Sequence, residues 1–449
     1  MGPILGLNII DGTVVVLFVL LSCAALAYLA MRRAPRRRIR GFRARRPFSW
    51  RRWALTVAMA AVSGALIAVV ALWLAESEFN LFGLPLDPDT HIWIIACFAA
   101  VAVALVNLVR VKWWRRTIAI VSIGLFALTA TLGINAAYGM NATVAQLLDI
   151  PVGHPIAVPR PAPTPSATPG PPKPLWRSWV APADMPSQGS FGTVAIPATA
   201  SGFVARAAWL YLPPAALVKK PPALPVLIMM MGQPGGPESS ALFLPYLNGL
   251  AAAHHGLGPI VLTIDQLGNP YKNPLCIDSP AGKVATYVMT DVVNYVRTTL
   301  HPATSRVDWA VGGYSNGGEC ALSFGAQHPD VFGSILDISG ELAPDLGSVS
   351  STIRVGFGGS RAAYTAALPL TILAGTRYTD TTAIFTSGGN DPVFGPEGAK
   401  AQAAAQAAGM TTFRYVGPGV GHRADAVQFG LPKGLAVLSP RWGLEPPAG

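Results

Sequence analysis

Gly313-Tyr314-Ser315-Asn316-Gly317 is a G-x-S-x-G stretch set between an apolar, strand-like run at 307–311 and a helix-like run at 320–328. A serine on a tight strand-to-helix turn projects its hydroxyl above the sheet, and glycines on both sides let the backbone pass closely. The N-terminus of the following helix favours negative charge beside it. This is the layout of an activated nucleophile, and such a hydroxyl needs a base within hydrogen-bond reach, itself held by an acid.

Location sorts the seven histidines. His91 begins an apolar span, His154 sits in a proline-rich segment, and His254, His255, His301 and His328 fall at predicted helix ends. His422 remains, in a loop after Gly417-Pro418-Gly419-Val420-Gly421 and near the carboxyl end, where the base belongs in the order Ser, Asp, His. Between serine and histidine, Asp391 is the preferred acid, because it follows an apolar run at 383–385 and a short polar loop and so falls at the exit of a strand. Asp380 lies before that strand, Asp337 lies inside another, and Asp330 and Asp345 rank lower as loop acids. A tetrahedral intermediate also needs two fixed N–H donors. Asn316, the residue after the nucleophile, is one candidate; Gln233, in the loop Met231-Gly232-Gln233-Pro234-Gly235-Gly236, is the other, since proline has no N–H to offer. Asp265 and Glu319 are candidates for reading a cationic head group, one at a strand exit and the other early in the nucleophile helix.

The elements that would carry these groups alternate. Strand-like runs at 207–212, 226–231, 260–265, 307–311, 334–338, 383–386 and 412–416 are separated by helix-like runs at 241–254, 285–300, 320–328, 397–408 and 424–438. This implies an α/β class, with a doubly wound, mostly parallel sheet and helices on both faces. Metal-ligand clusters, P-loops and dinucleotide fingerprints are not evident, so no cofactor and no metal is predicted.

Ahead of this region the chain is too apolar for an ordinary soluble enzyme: 51% hydrophobic residues and a mean hydropathy of +0.42 over 449 residues. Four runs, 9–31, 53–74, 92–109 and 118–138, are each long enough to cross a bilayer as a helix. The net charge of +11 is concentrated at their flanks. Arg32, Arg33, Arg36, Arg37, Arg38, Arg40, Arg43, Arg45, Arg46, Arg51 and Arg52 share one loop without an acid, and Arg110, Lys112, Arg115 and Arg116 form a second cluster. Together they exceed the whole positive excess, so the basicity reports membrane topology and predicts no nucleic-acid partner. Both clusters follow odd-numbered spans, which puts them in the cytoplasm and both termini outside. Trp53, Trp73, Trp93, Trp113 and Trp114 lie near span ends, as interfacial aromatics do. The first span is read as retained, because its positive charges follow the apolar run instead of preceding it.

The domain reading is a four-helix transmembrane region at 1–140, a Pro-rich linker at 141–174 and a hydrolase-type domain at 175–449. The linker segment PRPAPTPSATPGPPKP favours extended polyproline geometry and reads as a semi-rigid tether. Cys23 and Cys97 lie in spans as apolar filler; Cys276 and Cys320 lie in the later domain, and spacing leaves open whether they pair.

The segment GGYSNGGECALSFGAQHPDVFGSILDISGEL resembles the corresponding part of the esterase D-like branch of the α/β-hydrolases, which includes S-formylglutathione hydrolases and secreted mycolyltransferases. The resemblance spans about 176–444 and excludes the apolar spans and the tether. It implies an α/β-hydrolase fold, with Ser315, Asp391 and His422 as nucleophile, acid and base and Asn316 and Gln233 as oxyanion donors. Where many members carry His-Gly or Asp-Gly after the early strand, this chain has Met231-Gly232. The function expected is a membrane-anchored, extracytoplasmic serine esterase acting on acyl or aminoacyl esters of lipid or cell-envelope substrates. Two alternatives stay open: an acyltransferase using a sugar or lipid acceptor, and a non-catalytic envelope protein on a hydrolase fold.

Overall fold

The computed structural model describes residues 4–10, 13–31, 49–78, 86–109, 111–138, 140–141, 143–148, 150, 153–158, 174–270 and 272–446. The chain divides into two compact units, Met1–Ile150 and Pro151–Gly449. Most of the arginine loop, Arg110 and the proline-richest part of the linker lie outside the described residues.

The first unit contains α1 (Thr13–Ala30), α2 (Trp50–Trp73), α3 (Pro88–Val106) and α4 (Trp113–Tyr138), each long and apolar enough to cross a membrane. Their apolar side chains are mostly exposed. Small residues let the helices approach: a Cβ at Gly64 would overlap the Phe98 carbonyl, and one at Gly133 would overlap the Trp93 ring. Arg115 from the second basic cluster donates to the carbonyls of Leu29 at 2.7 Å and Met31 at 2.9 Å, and to Asn107 Oδ1 at 2.8 Å. A guanidinium thus closes the carboxyl end of α1, where a cation suits the dipole. Trp53 Nε1 donates to the Ala30 carbonyl at 2.7 Å. Met31, which precedes the arginine loop, and Arg115 of the second cluster therefore meet at one end of this bundle.

The second unit is built on one sheet of eight strands: β1 (Ser190–Val194), β2 (Ala208–Leu212), β3 (Val226–Met230), β4 (Ile260–Ile264), β5 (Trp309–Tyr314), β6 (Ser334–Ile338), β7 (Thr382–Gly388) and β8 (Thr411–Gly417). Their spatial order is β1-β2-β4-β3-β5-β6-β7-β8. β2 runs antiparallel to β1 and β4, and every other neighbouring pair is parallel. This is a mostly parallel sheet of the α/β class. The apolar runs VLIMM, IVLTI and SILDI form central strands buried along their whole length, as strands covered on both faces must be. Each fully buried Val, Leu or Ile side chain contributes about 1.5–3 kcal/mol, so the middle of the sheet is its most stable part.

Helices α5 (Leu244–Ala253), α6 (Asn316–Gln327), α10 (Phe394–Ala407) and α11 (Ala424–Arg441) belong to the layers around this sheet. Between β6 and β7 the chain makes an excursion of three short helices, α7 (Val349–Gly356), α8 (Arg361–Ala367) and α9 (Pro369–Gly375). The helical stretch at 284–299 has a π-helical middle, Tyr287–Val292. Part of the expected tether is docked instead of free. His154 and Ile156 exchange backbone hydrogen bonds with Thr193 of β1, at 3.0 and 3.2 Å; just past the linker, Trp176 N–H donates to the Gly443 carbonyl at 2.9 Å. Local pairing and apolar contacts of Ile156 and Val158 override the extended-coil tendency of the proline composition there.

Candidate active site

Ser315 lies at the junction of β5 and α6 with φ 55° and ψ −119°, a conformation that costs a non-glycine residue energy and persists only where the surroundings enforce it. They do so through glycines: a Cβ at Gly317 would overlap the Met230 carbonyl, and one at Gly313 would overlap the Gly317 carbonyl. The Ser315 N–H donates to the Ile338 carbonyl at 3.0 Å, fixing the turn to the next strand. Helix α6 starts at Asn316, earlier than the apolar pattern alone indicates, because the small residues 316–318 pack directly under the turn.

The structure brings the three residues singled out for acyl chemistry into one hydrogen-bonded chain. Ser315 Oγ is 2.9 Å from His422 Nε2, and His422 Nδ1 is 2.9 Å from Asp391 Oδ2. The second oxygen of Asp391 accepts the backbone N–H groups of Phe394 at 2.9 Å and Val393 at 3.2 Å. Asp391 is 5% exposed, so all its acceptor capacity in use is internal. The loops bearing Asp391 and His422 are joined: Gly389 N–H donates to the Gly417 carbonyl at 2.7 Å and Asn390 N–H to the Val420 carbonyl at 2.9 Å. Phe394 stacks on the imidazole, and Tyr314 packs near it.

The Met231–Gly236 loop passes beside the serine, since a Cβ at Gly232 would stand 3.1 Å from Ser315 Cβ and from the Tyr314 ring. Among the described residues, neither the Asn316 nor the Gln233 backbone N–H has an acceptor. The bond between Gln233 and Pro234 is cis. Arg206 holds the far end of the loop through Nη2 to the Gly235 carbonyl at 2.9 Å.

Asp265 and Glu319, the candidates for reading a cationic head group, are both buried inside the fold. Asp265 is fully buried, and Arg206 occupies both its oxygens: Nη2 on Oδ1 at 2.8 Å, Nε on Oδ2 at 3.0 Å, and the Arg206 backbone N–H on Oδ2 at 2.7 Å. Its negative charge is spent inside the fold. Glu319 is 1% exposed beneath the turn, with Oε1 accepting Ser323 Oγ–H at 2.9 Å. Burial pushes its carboxyl up to about 7, partly offset by the Ser323 hydrogen bond. Burial likewise pushes Asp337 up to about 7 against the hydrogen bond from Gly340 N–H. Cys276 and Cys320, left open by spacing, form a disulfide with Cα atoms 5.2 Å apart, fastening the segment around Cys276 to α6. Glu319 lies beside both sulfurs, which are bonded to each other and so not available as a thiolate pair.

Gln266 is a site residue that no motif announced. Its buried amide links the Met231 carbonyl to the Asn316 side chain.

No protein-family profile matches this chain. Over 200 residues it is 36% identical to an uncharacterized protein of Corynebacterium glutamicum, a match covering 42% of this chain and 47% of that one. The chain thus spans about half the length of the curated relative it matches. Among solved structures it is similar to a ferulic acid esterase, with TM-score 0.47 and 17% identity over 57% of this chain and 99% of that one. It is also similar to an S-formylglutathione hydrolase from Agrobacterium tumefaciens, with TM-score 0.47 and 16% identity over 58% of this chain and 98% of that one. A third similar structure, fluorophosphonate-binding serine hydrolase F of Staphylococcus aureus, has TM-score 0.44 and 12% identity over 56% of this chain and 98% of that one.

Proposed function

We propose that this protein is a membrane-anchored serine esterase whose hydrolase unit lies outside the cytoplasm and cleaves acyl or aminoacyl esters of lipid or envelope molecules through an acyl-enzyme. The observation that carries the reading is the continuous hydrogen-bonded chain from Ser315 through His422 to the buried carboxylate of Asp391. In this mechanism Ser315 Oγ–H donates to His422 Nε2 and loses its proton to it as Oγ attacks the ester carbonyl. Asp391 orients the ring through Nδ1–H and balances the imidazolium that forms. The oxyanion meets the backbone N–H groups of Asn316 and Gln233, beside the positive end of α6. His422 then protonates the departing alcohol, and water, activated by the same imidazole, releases the acid and restores the serine.

Membrane attachment supports the choice of substrate class, because a tethered enzyme meets lipid esters at high effective concentration. The positive-inside rule, applied to the two basic segments of the sequence, supports an external hydrolase unit. The decisive experiment compares ester hydrolysis by the full chain and by Ser315→Ala on short-chain, long-chain and aminoacyl-lipid esters. Unchanged turnover in the variant overturns the mechanism. Product analysis with an added sugar or lipid hydroxyl separates hydrolysis from acyl transfer.

A further inference from the structure

The segment that leaves β4 holds the oxyanion loop at both ends. Asp265 does so through Arg206, which reaches the Gly235 carbonyl at 2.9 Å and lies 3.5 Å from Glu238. Gln266, the next residue, does so directly: its Nε2 donates to the Met231 carbonyl at 2.6 Å and to Asn316 Oδ1 at 3.1 Å. The Gln266 side chain is 3% exposed, so water does not compete for either bond. These two acceptors belong to different segments. Met231 opens the loop that carries Gln233, and Asn316 begins the nucleophile helix.

Two N–H groups of one planar amide have a fixed separation, so a glutamine bonded to both segments sets the distance between them. That distance is what an oxyanion hole must hold, because donors act only when aimed at the position the oxygen reaches in the transition state. No other uncharged side chain of this length offers two such donors. Methionine keeps the volume and donates nothing; ionised glutamate would set negative charge against two acceptor oxygens; asparagine is one methylene short.

We propose that Gln266 is a positioning residue for the oxyanion donors, its amide clamping the Met231 carbonyl and the Asn316 side chain so that the N–H groups of Gln233 and Asn316 converge on one point. The assignment rests on the serine-esterase reading of the same site. Gln266 does not touch substrate; it acts through the two segments it joins.

The test uses the full chain in detergent, with Gln266→Met, Asn316→Ala, the double variant, and Ser315→Ala as control. The readouts are kcat and KM on p-nitrophenyl butyrate, inhibition by an alkyl trifluoromethyl ketone that forms a tetrahedral adduct on the serine, and the rate of fluorophosphonate labelling. Loss of a whole oxyanion donor costs about 10²–10³ in kcat, so a misplaced one is expected to cost about ten- to a hundredfold. Gln266→Met should show that loss with KM within about threefold, and should bind the ketone more weakly by the same factor. Asn316→Ala keeps its N–H but loses the clamp, so it should reproduce the defect and add little in the double variant. A purely structural role would lower Tm without weakening the ketone relative to substrate. If Gln266→Met fails to fold, Asn316→Ala decides, and wild-type kcat and ketone affinity in it overturn the clamp. Wild-type values in Gln266→Met, with Ser315→Ala inert and unlabelled, overturn the clamp and leave the esterase standing. A wild-type protein that neither hydrolyses nor labels overturns the esterase reading, and the clamp with it.

Discussion

The Phe394 ring stacks on the His422 imidazole with centroids 4.0 Å apart and planes 25° from parallel, while the Phe394 backbone N–H donates to Asp391 Oδ1 at 2.9 Å. One residue thus touches both His422 and Asp391. Phe394→Leu keeps the N–H and removes the stack. Because small misplacements of a catalytic group are costly, kcat should fall about tenfold with KM little changed. A kcat within twofold of wild type would mean that the ring does not orient the imidazole.

Asp391→Asn should lower kcat by about 10⁴ through loss of the correct imidazole tautomer. The fold should survive, because an amide oxygen can still accept from Val393 and Phe394. Steady-state kinetics alongside a thermal melt checks both halves, and activity near wild type would remove Asp391 from the mechanism.

Asp265→Ala strands Arg206, which is a quarter exposed, beside a vacated carboxylate site. Breaking one partner of a buried pair costs about 3–5 kcal/mol, and the exposure of Arg206 puts this case toward the low end. Urea unfolding should show that loss, and the ratio of turnover on cationic and neutral head-group esters should not move. A changed ratio without destabilisation would return Asp265 to substrate recognition.

Glu319 titrates at about 7 in the folded protein against an ordinary 4.5, so the native state holds a proton that the unfolded chain releases across that window. Its contribution to stability is full below pH 4.5 and is lost as pH rises through about 7. Glu319→Gln cannot ionise and should be more stable than wild type at pH 8, with the advantage shrinking toward pH 5. Thermal melts across that range test this; parallel curves would show that Glu319 is not the group responsible.

Cys276→Ala combined with Cys320→Ala opens a loop of sequence separation 44 and should cost about 2–4 kcal/mol. Reduction of the wild-type protein should produce a similar loss. Identical denaturation midpoints with and without reductant would show that the bridge adds no stability.

Each residue of the Ser315, His422 and Asp391 chain is announced locally: a glycine-flanked serine after a strand, a histidine in a glycine-rich loop, an aspartate at a strand exit. Gln266 is not, because its role depends on partners 35 and 50 residues away in sequence. Asp265 has the position of a ligand-facing acid, and only the fold reveals that Arg206 neutralises it. Strand β1 was not legible either, since only Gly192 and Val194 of its five residues are buried and no apolar alternation results. The three short helices between β6 and β7 lack an apolar run long enough to signal a helix, and the pairing of residues 154–156 with Thr193 is hidden by prolines nearby.

Ser315 hangs from the middle of the sheet, whereas Asp391 and His422 hang from β7 and β8 at one margin, and β8 buries only Gly417 along its length. Transient fraying at that border would carry away His422 while the strained serine stays seated among its glycines. Warming should therefore silence the protein before dismantling it, and prompt cooling should bring it back.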